Sequence, residues 1–131
     1  MIVSFRDKNT AAFYDGERVA AFSERDVERL LSDAGIIRHR GKIEATIGNA
    51  AAALELRGGL SDFIWGFATP DHRARRPAAM DDLAAATPAS TALSKELKRC
   101  GFRFVGPTTV YAFMQSAGMV DDHIVGCHVA G

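Results

Sequence analysis

The chain has little of several things. It holds two cysteines in 131 residues, Cys100 and Cys127. That is too few for a disulfide framework, so free thiols in a reducing compartment are expected. Long apolar runs are missing: no window approaches the roughly 18 uncharged residues that a membrane span needs. The first residues, MIVSFRDKNT, lack a basic flank followed by an apolar core and so are no secretion signal. Together these features point to the cytoplasm and away from membranes. Net charge is also missing, because 16 basic residues balance 16 acidic ones. That argues against coating nucleic acid by bulk electrostatics, though a local basic face stays open. Repeats and strand-like alternation are absent as well, so the expected fold is all-α.

What is present is a globular composition, 47% hydrophobic and 24% charged, of a length that suits one compact domain over residues 1–131. Charge is unevenly spread. Residues 15–33 carry six acids against three bases, whereas residues 93–106 carry four bases (Lys95, Lys98, Arg99, Arg103) and one acid. Arg38, His39, Arg40 and Lys42 form a second basic cluster, and Arg73, Arg75 and Arg76 a third. Arginine outnumbers lysine 12 to 4. Such a bias suits forked phosphate contacts, and biased codon usage gives it equally well.

The apolar periodicity predicts a helix over Ser23–Ala34. Ser23 serves as N-cap, Asp26 as its capping partner and Gly35 as the stop. A second helix is predicted over Gly41–Leu56, stopped by Gly58 and Gly59. A short helix over Leu60–Phe67 is expected to pack into the core. Ala68–Pro88, with Pro70, Pro77 and Pro88, reads as a surface excursion with one helical turn near Met80–Ala85. Helices follow over Thr91–Cys100, with Leu93 and Leu97 inward, and over Thr108–Ala117, ended by Gly118. Before Phe22 the pattern is ambiguous, although Phe13, Val19 and Phe22 look like core.

Three features carry candidate chemistry. First, two helices flank a glycine-bounded turn, GFRFVGPTT. The start of the second helix offers outward amide hydrogens and partial positive charge, which suits a phosphate. Gly106 supplies an unusual φ and close approach there, and Pro107 has no amide to waste. Lys98, Arg99 and Arg103 add charge. An ordinary helical corner with solvated basics gives the same pattern. Second, His123 and Cys127 lie four residues apart. They suit one tetrahedral metal, but two ligands do not complete a structural zinc site. A satisfied histidine beside a buried thiol is the alternative. Third, Asp121 and Asp122 offer paired carboxylates for acid–base or electrostatic work, or plain helix capping. Trp65, Tyr111 and Phe113 can stack on a base or fill the core.

In this order, the segments DVERLLSDAGIIRHRGKIEATIGNA, DFIWGF and ALSKELKRCGFRFVGPTTVYAFMQSAGMVDDHIVGC resemble the C-terminal two thirds of the DNA-3-methyladenine glycosylase I family. The likeness runs over about residues 17–127. It extends to the helix-hairpin-helix glycosylase superfamily, with Gly35 to Lys42, Phe102 to Gly106 and Asp121 in corresponding places. The resemblance implies a helical, N-terminally truncated glycosylase-like domain with its hairpin at about 93–117 and a zinc-binding tail at 121–128. It implies hydrolysis of the N-glycosidic bond of 3-methyladenine in alkylated double-stranded DNA, as in base-excision repair, with the base flipped out of the duplex. Arg103, Phe104, Gly106, Thr108 and Thr109 would then hold the DNA backbone, and His123 and Cys127 half of a structural zinc shell.

The family also carries an N-terminal Cys and His for zinc, aromatic residues that stack on the base, and a Glu that recognises it. No counterpart of these is seen here. Where the family usually has Asn, this chain has Asp121, a candidate for stabilising positive charge on the sugar. Two other readings follow: a DNA-binding remnant without catalysis, and a helical scaffold whose open apolar face is covered by a second copy or a partner chain.

Overall fold

The computed structural model describes residues 16–68 and 76–129. Phe13, Pro70, Arg73 and Arg75, all singled out above, lie outside the described residues. The rest is helical, with no strand among the described residues. The helices are α1 (Gly16–Ala20), α2 (Glu24–Leu31), α3 (Arg40–Leu54), α4 (Gly59–Trp65), α5 (Pro88–Arg99) and α6 (Pro107–Ser116), with a 3-10 turn at Met80–Asp82. They gather into two compact units. One holds residues 1–60 and 100–104, the other residues 61–99 and 105–131.

In the first unit α1 and α2 both pack on α3. Its core is Val27, Ile43, Ala45 and Phe102. The α2 start forms as its spacing predicts: the Asp26 carboxylate accepts from the Ser23 amide at 2.9 Å and from its hydroxyl at 3.1 Å. The helix ends at Leu31, three residues before Ala34. The Ser32 hydroxyl donates to the Glu28 carbonyl, and the Asp33 carboxylate takes the Gly35 amide at 2.8 Å. Short polar side chains here compete with the backbone ladder and unwind the last turn. Arg40 fastens α2 to α3. Its guanidinium donates to Glu24 at 2.6 Å, to Glu44 at 3.4 Å and to Glu28.

In the second unit α5 packs on α6. Leu93, Leu97, Val110, Tyr111, Met114 and Met119 are buried there. Deleting one such side chain costs about 2–5 kcal/mol. The start of α5 differs from expectation. The sequence predicts a start at Thr91 with Pro88 in the loop, but Pro88 is the first helical residue, where its missing amide is no loss. Thr87 and Ser90 cap each other: the Thr87 amide donates to Ser90 Oγ at 2.9 Å and the Ser90 amide to Thr87 Oγ1 at 3.1 Å. Buried Ser94 donates to the Val105 carbonyl at 2.6 Å, tying the approach to α6 against α5.

The end of α6 is closed by Gly118 at φ 74°. The Met119 amide reaches the Met114 carbonyl at 2.9 Å and the Gly118 amide the Gln115 carbonyl at 3.3 Å. This double bond pattern needs the left-handed residue and brings two buried methionines together. The expectation for α4 is corrected: the helix forms, but none of its residues is buried, and Trp65 is half exposed. Its Phe63 and Phe67 neighbours pack on each other instead, with ring centroids 5.7 Å apart.

Candidate nucleic-acid interface

The turn 101–104 belongs to the first unit, and Asn49 of α3 determines its shape. The Arg103 amide donates to Asn49 Oδ1 at 2.8 Å, and Asn49 Nδ2 donates to the Arg103 carbonyl at 3.0 Å. Arg103 therefore spends both backbone groups inside the protein and leaves only its guanidinium for an anion. The next residue, Phe104, sits at φ 57°, a left-handed conformation that costs a non-glycine residue about 1–2 kcal/mol. Its ring stays 54% exposed and meets the His39 ring edge-on, with centroids 6.1 Å apart. His39 in turn caps α3, its Nδ1 accepting from the Lys42 amide at 3.1 Å. Gly41 leaves room for this stack, since a Cβ there would stand 3.1 Å from His39 Cε1.

The second unit takes over at Val105. Gly106 caps α6 and Pro107 occupies its first position. Val110 is the first residue of α6 whose amide reaches back, to the Gly106 carbonyl at 2.9 Å. The amides of Gly106, Thr108 and Thr109 have no acceptor among the described residues. Aligned amides at a helix start attract anions. One expectation is corrected: Gly106 has an ordinary φ of −63°, so it supplies no unusual backbone conformation. What it supplies is open space, because nothing lies within 4 Å of a Cβ placed there.

The basic clusters are not equally available. Arg40 is committed to three carboxylates and Arg99 to Glu96 at 2.7 Å, so neither is a free phosphate ligand. Arg76 pairs with Asp121 at 3.0 Å. Arg38, Lys42 and Arg103 have no ion pair among the described residues.

The tail of the second unit is braced through its two acids. Asp121 accepts from Arg76 on one oxygen, while the other stands 2.7 Å from His123 Nδ1. The His123 contact, then Arg76, hold its carboxyl below the usual range. Both oxygens are occupied, so the geometry favours bracing over direct service at a sugar. Asp122 accepts from Gln115 at 2.9 Å and from the Tyr111 hydroxyl. Burial, then Asp122, pushes the Tyr111 hydroxyl up to about 12. The Val125 amide binds the Pro77 carbonyl at 3.0 Å. A cavity of about 540 Å³ lies beside these groups, lined by Arg76, Asp82, Leu83, Tyr111 and Asp122 among others.

His123 is exposed and Cys127 half-buried, and no set of three potential metal donors comes together among the described residues. The Asn49 clasp, the Arg40 network and the Arg76–Asp121 pair escaped sequence reasoning. Their partners lie 54, 12 to 16 and 45 residues apart. The Tyr111–Gln115 pairing on Asp122 and the Arg40–Glu44 pair had a signal, a four-residue spacing on one helix face.

Comparison with known proteins agrees with this architecture. A family model described as methyladenine glycosylase matches residues 1–130, which includes the first sixteen residues that the sequence resemblance left out. DNA-3-methyladenine glycosylase 1 of Escherichia coli K12 is 47% identical over 131 residues, covering 96% of this chain and 70% of that protein. The DNA-3-methyladenine glycosylase of Haemophilus influenzae is 40% identical, covering 96% and 71%. A crystal structure of a 3-methyladenine DNA glycosylase I superposes with a TM-score of 0.80 at 46% identity, covering 94% of this chain and 70% of that one. The Staphylococcus aureus enzyme, solved to explain its 3-methyladenine recognition, gives a TM-score of 0.79 at 32% identity, covering 92% and 66%. The all-α fold expected from the sequence is that of these enzymes, and the chain belongs to the methyladenine glycosylase family.

Proposed function

We infer that the chain hydrolyses the N-glycosidic bond of 3-methyladenine in alkylated double-stranded DNA, as a step of base-excision repair. Family membership carries this reading, since both named relatives are DNA-3-methyladenine glycosylases. The local geometry supports it. In a helix-hairpin-helix role, the amides of Gly106, Thr108 and Thr109, which have no acceptor among the described residues, receive a backbone phosphate. Arg103 and the exposed Phe104 lie just before these residues in the sequence. Methylation at N3 places positive charge on the base and makes it a good leaving group. Recognition and positioning then matter more than a strong general acid, which fits an Asp121 occupied on both oxygens.

Release of free 3-methyladenine from methylated duplex DNA tests the proposal. Salt-sensitive binding without release would support the second reading, a DNA-binding chain without catalysis. That reading draws on the second unit's cavity, where the one aromatic lining residue among the described residues, Tyr111, has its hydroxyl committed to Asp122. Association with a second copy or a partner chain is tested separately, by sedimentation over a range of concentrations.

Zinc fits this chain as a half-site. Asp121 at His123 Nδ1 leaves Nε2 as the metal-facing nitrogen, the usual carboxylate–histidine arrangement. Cys127 would be the second ligand, and zinc there would act as a structural cross-link for the tail. The cytoplasm is the expected location. No helix among the described residues is long and apolar enough to cross a membrane, and both cysteines are free.

A further inference from the structure

His39 is an uncommon choice for the residue that opens a helix. Serine, threonine, aspartate and asparagine are the usual ones. Here the imidazole does the work, its Nδ1 accepting from the Lys42 amide at 3.1 Å. Only the neutral ring can accept there, and only as the tautomer with its hydrogen on Nε2. A protonated ring carries hydrogen on both nitrogens and aims one donor at another. It also brings positive charge to the start of a helix, where the dipole is already positive. The cap therefore lasts only while the ring is neutral.

The same ring reaches beyond α3. It meets the Phe104 ring edge-on, and Gly41 leaves the space in which the two lie. A Cβ there would stand 3.4 Å from His39 Nδ1 and 3.9 Å from Phe104 Cζ. Two ties thus join α3 to the turn 101–104 within the first unit. One is the Asn49 clasp on Arg103, which has no proton to gain near neutral pH. The other is the ring contact on Phe104, the non-glycine residue held at φ 57°. A residue in so strained a conformation keeps it only while its surroundings hold it.

The charges around His39 do not oppose its release. Arg38 and Arg40 flank it in the chain, Lys42 follows on α3, and Arg103 precedes Phe104 on the turn. Glu24 and Glu28 of α2 and Glu44 of α3 are bound to Arg40. No carboxylate pairs with His39 among the described residues. No acid is therefore in place to hold a charged ring where the neutral one sits.

We propose that His39 is a proton-controlled positioning residue. Its neutral ring holds the turn 101–104 in the form that offers Arg103 to DNA, and a proton on the ring releases the turn. The proposal rests on the DNA reading above. His39 touches no reacting atom and acts through Phe104. An ordinary imidazole takes up its proton near about pH 6.5, so the control operates close to neutrality. Its sign is opposite to that of plain electrostatics. A positive charge added to a basic cluster strengthens DNA binding, whereas release of the turn weakens it.

The test compares duplex affinity at about pH 8 and about pH 5.5, at constant ionic strength, for the unaltered chain and His39→Asn. Asparagine keeps an acceptor for the Lys42 amide at both values. The ratio of the unaltered chain's affinity to that of His39→Asn should fall about fivefold on acidification, a comparison in which the other three histidines cancel. In a Phe104→Ala background the same ratio should stay level, which a cap without the relay would not give. Without DNA, an NMR titration should move the Arg103 amide with the same midpoint as the His39 ring. Absence of duplex binding at both pH values overturns the DNA reading and the control of binding with it. Binding with a level or rising ratio, or an Arg103 amide that does not follow the ring, overturns the His39 proposal alone.

Discussion

Asn49 holds Arg103 by both of its backbone polar groups, at 2.8 and 3.0 Å across 54 residues of sequence. The side-chain amide does here what a neighbouring strand would do, and so fixes a turn that has little regular structure of its own. Asn49→Ala leaves two backbone groups to find water. The expected loss is about 2 kcal/mol, or about 5–10 °C in melting temperature, read by thermal denaturation. Asn49→Asp keeps the acceptor and should lose less than Ala. Duplex affinity should fall with both.

Gly106 separates bulk from charge. A Cβ there meets nothing, so Gly106→Ala should stay within about 1 kcal/mol of the original stability. Gly106→Glu puts a carboxylate beside amides that have no acceptor among the described residues. It should weaken duplex binding by about tenfold or more at low salt while the fold is kept. Equal duplex affinity for the Ala and Glu forms in a titration would remove the phosphate from this site.

Arg40 sets an acid-side dependence. Hydrogen bonding to Arg40 holds the Glu24 carboxyl below its usual value. A carboxylate with a lowered folded value binds protons less readily folded than unfolded. Its contribution is therefore complete above the ordinary glutamate range and fades as pH falls through the lowered value. The melting temperature of the unaltered chain should drop more steeply between about pH 5 and pH 3 than that of Arg40→Met. Parallel curves would refute this.

Tyr111 works on the alkaline side. Its hydroxyl is expected to ionise at about 12, with burial as the main cause and Asp122 second. A raised folded value favours the neutral form, so the associated stability is complete below about pH 10 and disappears as pH rises through about 12. In a spectrophotometric titration Tyr111 should ionise about two pH units above an ordinary tyrosine. Tyr111→Phe should abolish the late step and cost about 1 kcal/mol.

Zinc should be weakly held, because only His123 and Cys127 of a tetrahedral set are at hand among the described residues. Elemental analysis after dialysis should give well under one zinc per chain. Asp121→Asn should lower the residual affinity by about tenfold through loss of the carboxylate that orients His123. A full complement of tightly bound zinc would contradict this.

Periodicity placed the helices because apolar stripes and caps are local. Ser23 with Asp26, Leu93 with Leu97 and the stop at Gly118 were legible for that reason. Ends were less so: Ser32 and Asp33 unwind α2 early, and Pro88 opens a helix although proline reads as a loop signal. The glycine-bounded turn and its amides were legible from GFRFVGPTT. What charge-counting could not see was how the cations are used. Arg40 and Arg99 belong to basic clusters in the sequence but are neutralised by carboxylates in the fold, since ion pairing depends on neighbours in space. The same limit hid Asn49, whose role requires knowing which turn passes beside α3.

The seal at the end of α6 has a further consequence for a chain that works amid chemical damage. Of its four methionines, Met114 and Met119 are wholly enclosed, whereas Met80 is 68% exposed. A sulfoxide on either enclosed thioether would place a polar oxygen among apolar neighbours. Peroxide therefore reaches those two sulfurs only when the domain opens, and among the described methionines Met80 takes the first hit at the surface.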